Sequence, residues 1–378
     1  MKAKSIKGKT TEEIKAALED NMTDGFKPTL AIVFISIKQN REAICHMLSE
    51  KEIQIFGATS SGEFIDTEIL EGGAVIMLLD IPISAFKIYF HETKDNAYEK
   101  ARLLGKESKD VFPNAAFLIG SGWMHIDAEN IVKGIEDGFG SEVSIFGGVA
   151  GDDLTLIDPK VFTNESISTT GLVALVLDTD KIEINGIATC GWKPIGISKT
   201  ITKSKGNVVY TIDDKPALDL VMKYLGLNIG DQPLNNTVFN LGAYYPLQME
   251  RENAPPVMRT AMLGNAEDRS LICAGNIPQG SKVRFSLPPD FDVIDTVVDD
   301  CTNLKIENGN DVDAVIIFSC ISRYLSFGVM SKEEIERVMN VWNVPFIGYF
   351  TYGEFGKSKG GKHEFHNNTC CVVTLKEK

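Results

Sequence analysis

Three stretches of this chain repeat one pattern, and that pattern restricts the backbone more than any other feature. They are Ile53-Gln54-Ile55-Phe56-Gly57-Ala58-Thr59-Ser60-Ser61-Gly62-Glu63-Phe64, Val143-Ser144-Ile145-Phe146-Gly147-Gly148-Val149-Ala150-Gly151-Asp152-Asp153 and Val344-Pro345-Phe346-Ile347-Gly348-Tyr349-Phe350-Thr351-Tyr352-Gly353-Glu354-Phe355. Each reads as a short apolar strand, a glycine, a tight loop, a second glycine and a carboxylate. Glycine lets the main chain turn sharply and lets another group approach it closely. The carboxylate falls at a strand end, where open α/β sheets place ligands. The pattern therefore predicts a binding pocket.

The surroundings of the motifs repeat as well. Apolar runs precede them at 31–35, 115–119 and 314–318, and others follow at 73–79, 171–177 and 369–375. Runs of Val, Ile and Phe without polar alternation predict strands covered on both faces. Helices are predicted at 41–51, 127–138 and 331–341, with Asp127 as an N-cap and Ser331 with Glu334 as a capping box. The unit strand–helix–strand–loop–strand thus occurs three times, which suggests internal duplication. Different material separates the second and third units: a hairpin within 182–212, a helix at 215–225, a loop marked by Gly226 and Gly230, a hairpin at 270–287 turning at Pro278-Gln279-Gly280, and a helix at 291–304. The expected fold class is α/β, with mixed sheets layered by helices in two tightly packed domains, 1–226 and 227–378.

Composition narrows the function classes. A chain of 378 residues with 43% apolar side chains suits two globular domains. No apolar run is long enough to cross a bilayer, and the basic N-terminus is followed by no apolar segment of a secretory signal. The formal charge of −14 argues against nucleic acid and anionic membranes as partners. Seven scattered cysteines, two of them adjacent at Cys370 and Cys371, read as reduced thiols of a cytoplasmic protein.

Gly57 to Gly62 and Gly348 to Gly353 copy the glycine spacing of a phosphate loop, but Glu63 and Glu354 follow where Lys would stand. Such loops repel phosphate and serve either as structural turns or as a pocket for a ligand amine. His363-Glu364-Phe365-His366 is one residue short of the helical zinc spacing and leads into a strand, so no metal is expected. His46 is read as an ordinary helix residue. Cys320 follows an apolar strand and, with His366, has the makings of a thiol nucleophile. Arg323 at the same strand end calls for a carboxylate or phosphate partner, either on a ligand or internally, with Glu354 as the internal candidate.

The motifs at 56–63 and 146–152, together with Pro194-Ile195-Gly196, Gly206-Asn207 and Asp213-Asp214-Lys215-Pro216-Ala217-Leu218, resemble the FIST N-terminal domain. Phe318-Ser319-Cys320 with Arg323, the motif at 348–354 and Phe365-His366-Asn367-Asn368-Thr369 resemble its C-terminal partner. The resemblance spans roughly residues 28–375. It implies a sensory module of signal transduction that binds a small ligand such as an amino acid. Many members are fused to output domains; none is read after Leu375, so a separate output protein is expected. In this reading Arg323 meets a ligand carboxylate and Glu354 its amine, while Cys320, Thr351, Gly353, His366 and Asn367 line the pocket. No cofactor is expected. The alternative is a hydrolase or amidase using Cys320 and His366.

Overall fold

A computed structural model describes residues 1–378 other than 24, 95, 123–127, 228–233 and 310, and of Asn236 it describes the backbone alone. The expected triplication is visible as three units. The first comprises β1 (Lys2–Gly8), α1 (Thr11–Asn21), β2 (Leu30–Ile35), α2 (Arg41–Ser49), β3 (Gln54–Thr59), β4 (Glu63–Ile65), β5 (Glu68–Leu70) and β6 (Ala74–Asp80). The second comprises β7 (Phe86–Glu92), α3 (Ala97–Val111), β8 (Ala115–Ser121), α4 (Ala128–Phe139), β9 (Ser144–Val149), β10 (Val161–Phe162), β11 (Ile167–Ser168) and β12 (Gly171–Asp178).

The third unit begins with β13 (Ile182–Thr189) and is then interrupted. The insertion holds β14 (Pro194–Lys205), β15 (Val208–Ile212), β16 (Lys215–Pro216), α5 (Ala217–Tyr224), α6 (Leu234–Tyr244), β17 (Leu247–Met249), β18 (Val257–Arg259), β19 (Ala261–Gly264), β20 (Leu271–Cys273) and β21 (Lys282–Ser286). The unit resumes with α7 (Phe291–Asn308), β22 (Ala314–Cys320), α8 (Ile321–Phe327), α9 (Met330–Trp342), β23 (Phe346–Thr351), β24 (Glu354–Lys357), β25 (His363–His366) and β26 (Cys370–Glu377).

The units build three sheets with one shared strand plan: β1-β6-β2-β3-β10-β11, β7-β12-β8-β9-β24-β25 and β13-β26-β22-β23-β4-β5. In each, the two strands joined by a helical crossover run parallel, as β2 with β3, β8 with β9 and β22 with β23. The hairpin that follows each glycine motif leaves its own sheet. β4 joins β23, β10 joins β3 and β24 joins β9, so the exchange is cyclic. Ladders therefore tie the third unit to the first two, and they run between segments on either side of residue 226.

Strand residues alternate between two cores, which explains their uniformly apolar sequences. Ile32 and Phe34, Ala116 and Leu118, and Ile316 and Phe318 meet in a central core shared by the three sheets. Val33, Ile119 and Val315 point the other way, toward the helices. There Ile14 and Ile44 cover the first sheet, Leu104 and Ile131 the second, and Val297 and Ile335 the third.

The glycines have a shared role in this exchange. Gly57, Gly147 and Gly348 stand opposite Phe162, Phe355 and Phe64 of the received strands. At Gly57 and Gly348 the phenylalanine ring occupies the volume that a β-carbon would take. A ring laid across a glycine fills the gap on the strand and fixes its register.

The insertion is a barrel. β18 and β19 are one strand bent at Thr260, pairing β17 at one end and β20 at the other, so the path β17-β21-β14-β15-β20 closes on itself. Its own core includes Ile201, Val209, Leu247, Val257, Leu271 and Phe285. The hairpin expected at 270–287 does not form. β20 and β21 flank the β14–β15 hairpin on opposite sides, because that pair lies between them. Asp127 and Gly230 lie outside the described residues. Ser331 and Glu334 do not cap α9; Ser331 bonds Tyr324 and Glu334 turns inward to Arg323.

Gly348→Ala forces a methyl group into the Phe64 ring. The expected loss is about 1–3 kcal/mol of unfolding free energy, read by chemical denaturation; an unchanged midpoint contradicts the exchange geometry.

Candidate functional site

The three glycine–acid loops converge on one another. Ser61 N–H donates to Phe350 O at 3.2 Å and Phe350 N–H to Gly62 O at 2.9 Å. Gly151 N–H donates to Thr59 O at 2.8 Å, and Val149 N–H to Gly353 O at 2.8 Å. Gly62 has φ +116°, a conformation that favours glycine. The carboxylates at these loops are internal. Glu63 accepts from the Ser60 hydroxyl and from Gly73 N–H at 3.1 Å. Glu354 repeats the arrangement, accepting from Thr351, from Thr369 Oγ1 at 2.8 Å and from Thr369 N–H at 3.3 Å. Burial pushes both carboxyls up to about 8, although their donors act in the opposite sense. Asp152 differs. Burial pulls it upward, but the Tyr352 hydroxyl, Asp158 N–H, Thr155 hydroxyl and Ile157 N–H outweigh that and hold it below the usual range.

Arg323 is fully buried, and its partner is Glu334, not Glu354. Nε donates to Glu334 Oε2 at 3.0 Å and Nη2 to Oε1, while Nη1 donates to Cys190 O at 2.9 Å and Asn368 O at 2.8 Å. Desolvation lowers the guanidinium pKa, but Glu334 outweighs it and the net shift is upward. The opposite charges expected to meet a zwitterion are thus both engaged inside the protein.

Residues 367–369, between β25 and β26, join the barrel to the three-sheet body. Asn368 adopts φ +57°, which asparagine tolerates. Its Nδ2 donates to Ala243 O at 2.9 Å, and its Oδ1 accepts from Thr260 Oγ1 at 2.5 Å. Arg259, 1% exposed, bridges the same seam, donating to Phe365 O at 3.2 Å and to Glu129 Oε1 at 2.7 Å. Beside these contacts lies a cavity of about 20 Å³, lined by Cys320, Tyr352 and Asn367 of the body and by Phe239, Thr260 and Met262 of the insertion. Asn367 is 1% exposed, and neither its Nδ2 nor its Oδ1 has a hydrogen-bond partner.

Of the expected site residues, Cys320 and Asn367 line this cavity. Arg323, Thr351, Gly353, Glu354 and His366 stand behind it, all buried. The Cys320 thiol bonds Glu354, and burial pushes its pKa far up. His366 bonds Gly356 O at 3.2 Å, and burial lowers it to about 4. No hydrogen bond joins Cys320 to His366 among the described residues, so this geometry provides no thiolate–imidazolium pair. No group of three or more potential metal-ligating side chains occurs among the described residues. Thr260, Arg259, Glu334 and Asn368 were not expected at the site. Only the paired Asn367-Asn368 ahead of a strand offered a signal, through the tolerance of asparagine for left-handed backbone.

The FIST N domain model matches residues 29–215 and the FIST C domain model residues 217–357. The chain belongs to the FIST family. FIST domains are sensory domains of signal transduction, and this chain has a general sensing role. No curated protein matches the chain. The junction between the two FIST matches falls inside the insertion, at Pro216 of β16. Among the described residues no helix is long and apolar enough to cross a membrane.

The raised pKa of Glu354 has a direct consequence for stability. The folded state favours the neutral carboxyl, so this contribution is complete below the ordinary value of 4.5 and is lost as pH rises through about 8. Glu354→Gln stays neutral throughout. Between about pH 5 and about pH 9 the melting temperature of the parent should fall more steeply than that of the variant; parallel curves contradict the assignment.

Proposed function

We propose that this FIST protein is a cytoplasmic small-ligand sensor that receives its ligand at the seam between barrel and body and signals to a separate output protein. The observation that carries this reading is the Asn367 cavity, a partly enclosed space between two separately cored parts with walls from both. Ligand sites favour such junctions. The cavity, at about 20 Å³, has room for roughly one water. A larger ligand therefore has to part the barrel from the body. A ligand that fits the parted form shifts the balance by its differential affinity for the two forms. The displaced barrel then presents the output protein with an altered surface.

In this reading Cys320 and Asn367 touch the ligand. Glu354 holds the Cys320 thiol, and Arg323 holds the main chain at Asn368, next to Asn367. Thr351 steadies Glu354, and the Phe365 ring lies against Gly353, so these residues act from behind the wall. The seven unpaired cysteines fit a reducing compartment.

Ala274 lines the cavity, and leucine there fills it. In a thermal-shift screen of small metabolites, at least one compound should stabilise the parent chain and lose its effect in Ala274→Leu. An empty screen, or stabilisation untouched by Ala274→Leu, refutes the site.

A further inference from the structure

Resting on the reading of the seam cavity as the sensing site, we propose that the group recognised there is an uncharged amide or lactam, paired edge to edge with Asn367. A carboxamide side chain offers one acceptor oxygen and two donor hydrogens. Burying such a group without partners is unfavourable, and buried polar atoms in native proteins are nearly always paired. Asn368, the next residue, obeys that rule through Ala243, Thr260 and Arg323. Asn367 leaves both kinds of atom open while facing a cavity. An incoming amide carries a donor and an acceptor side by side and satisfies both.

The rest of the wall selects against charge. Among the described residues, none that lines the cavity is Asp, Glu, Lys, Arg or His. The Thr260 hydroxyl is committed to Asn368, and the Tyr352 hydroxyl donates to Asp152. A carboxylate or ammonium entering this space loses its hydration and meets no opposite charge among the described lining residues. Phe239 and Met262 give a short alkyl portion an apolar flank. Arg323 and Glu354, whose charges would suit a zwitterion, are not among the lining residues.

The test uses the full chain with propionamide, pyrrolidinone, L-alanine and propionate, followed by melting temperature. Propionamide or pyrrolidinone should raise it by about 2 °C at roughly tenfold excess over the dissociation constant. Asn367→Leu should abolish that shift while keeping the protein folded. Asn367→Ala, a smaller change, should do the same and stands in where the leucine variant fails to fold. Stabilisation by L-alanine that depends on Asn367, with the amides silent, overturns the ligand class and leaves the sensing site standing. Amide stabilisation that survives both substitutions overturns the role of Asn367. Silence from all four probes overturns the ligand class; whether the cavity senses anything is then decided by the metabolite screen on the Ala274→Leu background.

Discussion

The body of this protein depends on main-chain hydrogen bonds exchanged among three glycine–acid loops. Each loop sends a hairpin into the neighbouring sheet, and each sheet receives one in return. The exchange makes the sheets interdependent, since none has its full set of strands without another unit. It also explains why glycine precedes the carboxylate: the loops pass so closely that a β-carbon on Gly151 would strike Ser61. The carboxylates then staple the exchanged hairpins. Glu63 reaches Gly73, which leads into β6, and Glu354 reaches Thr369, which leads into β26. Such groups are buried because they hold strands; burial favours their neutral form while the donors they hold favour the carboxylate.

The barrel meets this body through polar contacts and through a small apolar cluster in which its Met258 packs with Trp192, Val293, Ile294 and Phe327. One buried ion pair crosses the seam, Arg259 of the barrel with Glu129 of the body. Breaking such a pair is costly, yet its net contribution over an apolar pair is small. That pair fixes direction more than strength. The seam is therefore the place where a modest ligand free energy can change the arrangement of two parts that each keep their own core. A sensor needs a two-state element of this kind, and the unpaired Asn367 sits on it.

Much of the body was legible because local rules were unopposed. Strands covered on both faces leave uniformly apolar runs, and helices such as α4 carry clear stripes, so the triplication was readable from 31–35, 115–119 and 314–318. The destination of the hairpins was not readable. Glu63-Phe64 and Glu354-Phe355 have the same local signal whether they stay in their own sheet or leave it, and register across sheets is set by contacts distant in sequence. The lining of the cavity was legible in part. Cys320 and Asn367 followed from strand ends and from the family resemblance, and both line the cavity. The partner of Arg323 was misjudged because Glu334 carries a helix-capping signature that the ion pair overrides. Thr260 and Arg259 lie in a short strand whose letters give no hint that it bends across the seam.

Native-state hydrogen exchange tests the account most directly, because it compares the body and the seam in one experiment. The amides of Val149, Gly151 and Phe350 at the loop junction should exchange only through global unfolding, whereas Asn276, whose N–H crosses the seam to Glu129 Oε1 at 3.0 Å, should exchange through a smaller opening. Ligand stabilisation of the parted form should speed exchange at Asn276 and leave the junction amides unchanged. Equal protection at both places, or junction amides that open before the seam, would contradict a fixed three-sheet body carrying a movable barrel.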